Sequence, residues 1–139
     1  MKIPRAIYEQ LRKETGNRCG YCRTSTLITG EALTVEHLIP TARGGTTELH
    51  NLWLSCRRCN QCKRVLTEAS DPETDQLVPL FDPRRQSRRE HFVWSSNGTQ
   101  IIGLTSTGRA TIHALQMNHP DVVVARQLWV QVGWHPPLD

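Results

Sequence analysis

The spacing of apolar residues along the chain predicts short helices and strands. Residues 4–14 are predicted to form a helix, because Ile7 and Leu11 lie one turn apart and Gly16 follows as a stop signal. Two strands and a further helix are then predicted at 33–39, 51–54 and 57–66.

The second half of the chain predicts a β-hairpin followed by two helices. Apolar runs at 91–95 and 99–104 flank Asn97-Gly98, a dipeptide typical of tight hairpin turns. The helices are predicted at 108–117 and 120–133. The second helix is expected to bury one face, which is formed by Ala125, Leu128, Trp129 and Val132.

The polar stretch Ser70–Asp75 separates these two halves. It predicts an N-terminal domain of residues 1–70 and a C-terminal extension of residues 71–139 that packs on the first domain or forms a dimer interface. Since both halves mix helices with a few strands, the predicted fold class is α+β.

Five cysteines lie in the first half of the 139-residue chain. Cys19-x-x-Cys22 and Cys56-x-x-Cys59 form two knuckles, each able to present two thiolates to one tetrahedral Zn²⁺. An odd number of cysteines and the lack of a secretory signal pattern favour metal ligation over disulfides, and a cytoplasmic location. Four protein ligands would close the site, which predicts a structural role for the metal.

Cys59-x-x-Cys62 has the same spacing and is the alternative second knuckle. The 56/59 pair is preferred because Cys56 immediately precedes a predicted helix, where knuckles commonly lie. Cys62 is then a free thiol.

Net charge is a weak indicator here. The formal charge of +4 would fall to about +2 with four thiolates and one Zn²⁺ bound. Local clusters of cations are more informative, since they could contact a phosphate backbone, although solvated surface faces are the simpler explanation. The residues that we expect to contact nucleic acid are Arg57, Lys63, Arg64, Arg84, Arg85, Arg88 and Arg89.

Polar and glycine motifs stand in a fixed order between and after the knuckles. They are Val35-Glu36-His37-Leu38-Ile39-Pro40, Gly44-Gly45, Asn51-Leu52 and Cys59-Asn60-Gln61-Cys62-Lys63. This ordered set resembles the HNH endonuclease family over residues 19–63, and the whole chain looks like free-standing bacterial members with a C-terminal extension. The resemblance implies a zinc-stabilised ββα-metal fold and hydrolysis of phosphodiester bonds, most simply in double-stranded DNA.

The resemblance also implies a role for each matching residue. His37 would be the general base, Glu36 and Asn60 would hold a divalent metal, and Asn51 would brace the hairpin that positions His37. The chemistry is consistent with these roles, because an imidazole of pKa about 6.5 can activate water near neutral pH. Carboxylate and amide oxygens are hard ligands, which favour Mg²⁺ or Mn²⁺.

One geometric condition follows from the adjacency of Glu36 and His37. Neighbours in a regular strand point to opposite faces, so both can serve one site only if the strand ends or distorts there, or if metal and phosphate straddle it. His50, beside Asn51, is a further candidate for contact with the phosphate or metal.

The principal alternative is a zinc-containing nucleic-acid-binding module without catalytic activity. Such a module would need none of Glu36, His37 and Asn60, whereas all three are present. A redox protein that uses its C-x-x-C thiols is a third hypothesis, and it predicts reactive cysteines without bound zinc. A homodimer would suit double-strand cleavage, since two nicks normally need two active sites.

Overall fold

The computed structural model describes residues 3–138, in which six helices and six strands form two units. The N-terminal unit comprises the residues up to Thr67 together with Asp82–Arg85, and the C-terminal unit comprises Glu68–Phe81 and the residues from Gln86 onward. The predicted α+β class is confirmed, while the domain boundary at residue 70 stays a prediction. None of the helices in the described chain is long and apolar enough to cross a membrane.

The N-terminal unit contains three helices and two strands. In chain order they are α1 (Arg5–Thr15), α2 (Thr26–Thr29), β1 (Thr34–His37), β2 (Leu52–Ser55) and α3 (Arg57–Lys63). The helix predicted near the N-terminus is confirmed. It buries Leu11 and ends at Gly16, whose φ of 65° is the left-handed conformation that glycine adopts most easily.

Strands β1 and β2 pair antiparallel, with Glu36 opposite Trp53 and His37 opposite Leu52. Helix α3 follows β2 almost immediately, and Lys63 in its last turn donates a hydrogen bond to Leu38 O at 3.2 Å. The hairpin and the helix therefore form a ββα unit.

The C-terminal unit contains four strands and three helices. In chain order they are β3 (Glu68–Ser70), β4 (Leu77–Pro79), α4 (Arg88–His91), β5 (Phe92–Trp94), β6 (Ile101–Gly103), α5 (Ser106–Ala114) and α6 (Pro120–Gln131). The predicted hairpin around Asn97-Gly98 is confirmed as β5–β6, with Trp94 paired to Ile101.

The hairpin β3–β4 was not expected from the sequence. The polar stretch Ser70–Asp75 includes its turn, and Asp71 organises that turn by accepting hydrogen bonds from Glu73 N (3.0 Å) and Thr74 Oγ1 (3.1 Å). The Asp71 side chain is buried and also receives two hydrogen bonds from the Arg109 guanidinium of α5, at 3.0 and 2.8 Å. A buried acidic side chain therefore joins the hairpin to a helix.

We expect this ion pair to make stability depend on acid pH. Hydrogen bonds from Arg109 lower the pKa of Asp71 from its usual 3.8 to about 2. The folded state binds the Asp71 proton more weakly than the unfolded state does. The contribution of the ion pair to stability is therefore complete above about pH 4 and is lost as the pH falls towards 2. Thermal unfolding of the protein and of Arg109→Gln, followed from pH 5 to pH 2, should show a smaller acid-induced decline in the variant. Equal declines would mean that other carboxylates dominate.

The face that was expected to be buried on α6 is only partly buried, with Ala125 and Trp129 half-buried. Leu128 is 58% exposed and Val132 is 60% exposed, whereas Arg126 is completely buried. Its guanidinium donates hydrogen bonds to Thr99 O, Asn118 Oδ1 and Met117 O at 2.7–3.2 Å. These three acceptors stabilise the buried guanidinium of Arg126. The spacing of apolar residues along the helix cannot predict a buried cation of this kind.

Candidate metal centre and nuclease site

The sulfur atoms of four cysteines lie within 4.8 Å of one another, and all four come from the two predicted knuckles: Cys19, Cys22, Cys56 and Cys59. The Sγ atoms of Cys22 and Cys56 are 3.6 Å apart. Tetrahedral zinc with bonds of about 2.3 Å places its sulfur ligands about 3.8 Å apart, so the group fits one such ion. Cys56 belongs to the group, as expected, and Cys62 lies outside it.

Local backbone structure arranges each pair of sulfurs. In the first knuckle, Tyr21 N donates to Cys19 Sγ at 3.4 Å. In the second, Cys56 caps the N-terminus of α3 and accepts from Cys59 N at 3.5 Å. Backbone N–H groups directed at sulfur stabilise thiolates, as a metal-binding knuckle requires.

The electrostatics of the cysteine group favour a bound cation. Burial raises the pKa of Cys19, and hydrogen bonding with the neighbouring cysteines raises the pKa of Cys59 but lowers that of Cys22. Four thiolates at this separation would repel one another without a positive charge between them. The four cysteines are therefore placed to bind a metal ion.

Glu36 lies in a buried polar network on the inner side of β1. Its side chain is 3% exposed, and Oε1 accepts from Tyr21 Oη at 2.8 Å and pairs with Lys63 Nζ at 2.9 Å. Burial raises the pKa of Glu36, although Lys63 acts in the opposite direction. The other oxygen, Oε2, is buried and has no hydrogen-bond partner. One oxygen of the Glu36 carboxylate is therefore hydrogen-bonded within the fold, and the other oxygen has no hydrogen-bond partner.

His37 is the last residue of β1 and is half-buried. Its Nε2 lies 3.1 Å from Thr47 Oγ1 in the loop between the two strands. Burial lowers the pKa of His37, as does the positive charge of Lys63, so the imidazole is neutral at pH 7. Pairing stays regular through His37, so Glu36 and His37 take opposite sides of the hairpin, as the period of a strand requires.

Asn51 closes the loop between β1 and β2. Its side chain is buried, with Oδ1 accepting from Ile39 N at 2.9 Å and Nδ2 donating to Ile39 O (3.0 Å) and Thr46 O (2.8 Å). The backbone of Gly45 passes so close to Ile39 O that a side chain there would clash with it. The amide of Asn51 and the bare backbone of Gly45 together hold the loop that follows His37.

Replacing Asn51 by aspartate should destabilise the N-terminal unit by about 3 kcal/mol. The carboxylate keeps the acceptor for Ile39 N but removes both donors and faces two carbonyl oxygens, and each lost buried partner costs about 1–3 kcal/mol. Urea unfolding would measure the change. Gln61→Glu makes the same amide-to-acid exchange at an exposed position of α3 and should change stability by less than about 0.5 kcal/mol. Similar losses in both variants would contradict a bracing role.

Asn60 lies in the middle of α3 and is half-buried. The buried face of α3 contains Cys59, which belongs to the cysteine group, and Lys63, which contacts Glu36 and Leu38. The helix that carries Asn60 is thereby attached both to the cysteine group and to the end of β1.

The structure corrects two of the seven expected phosphate contacts. Lys63 is buried against Glu36, so its ammonium group is not presented to a ligand. The guanidinium of Arg84 donates twice to Leu52 O, pairs with Glu14 at 2.8 Å and lies 4.8 Å from the Trp53 ring centroid. Both cations hold the N-terminal unit together, because a long charged side chain can satisfy buried acceptors as readily as surface phosphates.

The other expected cations lie nearer the surface. Arg57, Arg64, Arg85 and Arg89 are exposed, and Arg88 is half-buried. Arg57 pairs with Glu31 at 3.0 Å, and Arg85 pairs with Asp82 at 2.9 Å. His50 is exposed, with Nδ1 3.4 Å from Glu48. Exposed ion pairs of this kind contribute little to stability and can exchange for phosphate.

Sequence reasoning missed the contacts made by Tyr21 and Thr47. Tyr21 lies inside the first knuckle, yet its hydroxyl reaches the carboxylate of Glu36. Thr47 lies ten residues from His37 and orients its ring. Neither residue type is distinctive at its position, so only the folded chain shows these contacts.

Residues 19–65 match the family model described as HNH endonuclease. The resemblance inferred from the motifs is confirmed over this segment, which is less than half of the chain and includes the cysteine group, Glu36, His37, Asn51 and Asn60. Neither the curated proteins nor the solved structures gave a match to the chain. The matched segment and the metal-binding cysteine group indicate a nuclease or another function related to nucleic acids.

Proposed function

We propose that this protein is a metal-dependent endonuclease that hydrolyses phosphodiester bonds in DNA. The observation that carries the proposal is the pair of adjacent residues at the end of β1, within the segment that matches the HNH family. Since their side chains take opposite sides of the hairpin, the metal and the scissile phosphate would straddle the end of β1. His37 offers a half-exposed neutral imidazole, and Glu36 offers a carboxylate oxygen with no hydrogen-bond partner.

Glu36 and Asn60 would hold the divalent cation. Lys63 and Tyr21 occupy Oε1 of Glu36, so Oε2 is the oxygen left for a metal, and a buried unsatisfied oxygen is the kind of atom that a cation stabilises. The amide oxygen of Asn60 is a second hard ligand, and water would complete the coordination of Mg²⁺ or Mn²⁺. When bound, such a cation would stabilise negative charge on the scissile phosphate and the leaving oxygen.

His37 would act as the general base. If Nε2–H donates to Thr47 Oγ1, the other ring nitrogen, Nδ1, carries the lone pair that accepts a proton from water. The water oxygen then forms a bond to phosphorus while the bond to the leaving oxygen breaks. The leaving oxygen takes a proton from solvent. Because water attacks phosphorus directly, the reaction needs no covalent enzyme intermediate.

The cysteine group would hold Zn²⁺ in a structural role. Four thiolates are soft ligands that select zinc, and they leave no position on the ion for water or substrate. Around this core, Arg57, Arg64 and Arg85 would contact backbone phosphates, which gives affinity that is independent of sequence and sensitive to salt.

A zinc-containing nucleic-acid-binding module without catalysis is the second candidate. The observation that favours it is the buried pairing of Glu36 with Lys63 at 2.9 Å, because this contact would have a purely structural use in a protein without a catalytic metal.

Incubation with supercoiled plasmid separates the two candidates. The endonuclease predicts conversion to open-circle or linear DNA only when Mg²⁺ or Mn²⁺ is added, and the ratio of these products distinguishes nicking from double-strand cleavage. If the folded protein with its zinc shifts the plasmid on a gel but cleaves it with neither cation, the binding module is correct.

A further inference from the structure

The C-terminal unit contains a cavity of about 220 Å³ beside the β5–β6 hairpin. Its walls come from apolar and aromatic side chains of the hairpin, chiefly Phe92, Val93, Trp94 and Ile101, and two arginines of α4 complete it. Sites for drug-sized ligands usually measure about 300–1,000 Å³. This cavity is smaller, so it suits a single ring system.

Two of the five apolar lining residues are well exposed to solvent, whereas Phe92 and Ile101 are buried. Val93 is 46% exposed and Leu104 is 51% exposed, although both belong to the wall of the cavity. Apolar side chains gathered around a concave surface lose contact with water when a flat apolar ligand fills it. The lining therefore favours a ligand with an apolar or aromatic face.

The charged residues that line the cavity are both positive. Arg88 and Arg89 line the cavity, whereas no acidic residue does. The guanidinium of Arg88 lies 4.8 Å from the Phe92 ring centroid, within the range of a cation–π contact. A ligand that carries an anionic group next to an aromatic ring would match both the arginines and the apolar walls.

We propose that this cavity binds one unpaired nucleotide of a nucleic acid, with the base between the apolar walls and its phosphate beside Arg88 and Arg89. A base offers a flat π-face to the apolar walls, and a phosphate matches the fork of an arginine. The inference rests on the proposed function for its choice of a nucleic-acid ligand, and it adds single-stranded or locally unpaired DNA as the substrate class.

Fluorescence anisotropy with a labelled single-stranded DNA of ten nucleotides tests the proposal, without added divalent cation so that cleavage does not interfere. Val93→Glu places a negative charge at the exposed edge of the cavity. Leu77→Glu is the matched control, because Leu77 is also an exposed apolar strand residue of the C-terminal unit but does not line the cavity. We expect Val93→Glu to weaken binding about tenfold more than Leu77→Glu.

An abasic strand of the same length distinguishes base binding from attraction to phosphates. It should bind the unmodified protein more weakly than the normal strand does, and Val93→Glu should weaken its binding by a smaller factor than it weakens binding of the normal strand. Equal affinity of the two variants for the normal strand, or no binding of single strands by the unmodified protein, would overturn the proposal. These results are independent of plasmid cleavage: a nuclease can lack this site, and the site can persist in a protein that cleaves nothing.

Discussion

Replacing His37 by alanine is expected to reduce the rate of plasmid cleavage by about 10²–10⁴-fold, the usual contribution of a general base. The imidazole ends β1, is oriented by Thr47 and is neutral at pH 7, so the substitution removes the group that we propose takes the proton from water. The rate at saturating DNA and added Mg²⁺ or Mn²⁺ is the quantity to measure.

The control for this prediction is His50→Ala. His50 is exposed and lies in the same inter-strand loop, and its imidazole pairs with the surface residue Glu48, so its loss should leave the rate within about twofold of the unmodified protein. Metal content and the melting temperature should be retained in both variants. A His37→Ala protein that cleaves at the original rate would remove His37 from the mechanism and would leave the cysteine group unaffected.

Replacing Cys59 by serine is expected to abolish metal binding and unfold the N-terminal unit. Cys59 is completely buried, and its sulfur is one of the four that lie together. Structural zinc contributes about 10–16 kcal/mol in small zinc domains, which is comparable with the whole stability of a typical domain, about 5–15 kcal/mol. Metal content per chain and the circular-dichroism melting curve would report the two effects.

Cys62→Ser is the matched control for this second prediction. It makes the same exchange of sulfur for oxygen on the same helix, at a half-buried position outside the cysteine group. One equivalent of metal and a nearly unchanged melting curve are expected. If Cys62→Ser lost the metal and Cys59→Ser kept it, the ligand assignment would be wrong.

Much of the candidate site could be predicted from the sequence because its signals are local. Two C-x-x-C pairs define the knuckles, and the order of the motifs around Glu36, His37 and Asn60 indicated the family that residues 19–65 match. The spacing alone left Cys56 and Cys62 as competing ligands, and the start of α3 at Arg57, directly after Cys56, is what places the Cys56 sulfur beside the others.

Other features depended on contacts between residues far apart in the chain. In the sequence, Lys63 and Arg84 look like Arg57, a cation in a basic cluster. In the structure, however, Lys63 and Arg84 donate to carbonyl oxygens 25 and 32 residues away. The buried face of α6 could likewise not be predicted. Apolar spacing gives the period of a helix but does not show which face meets hydrogen-bond acceptors, such as those around Arg126.

The sequence by itself determined the α+β class, most of the helices and strands, the zinc-type cysteine pairs and the resemblance to HNH endonucleases, since each depends on residue identities at short separation. Only the tertiary structure decided which cations are structural, that Glu36 is buried between Tyr21 and Lys63 with one oxygen unsatisfied, and that a cavity forms beside Arg88 and Phe92. The physical reason is that burial and pairing are properties of the packed chain, in which a side chain takes the nearest partner in space.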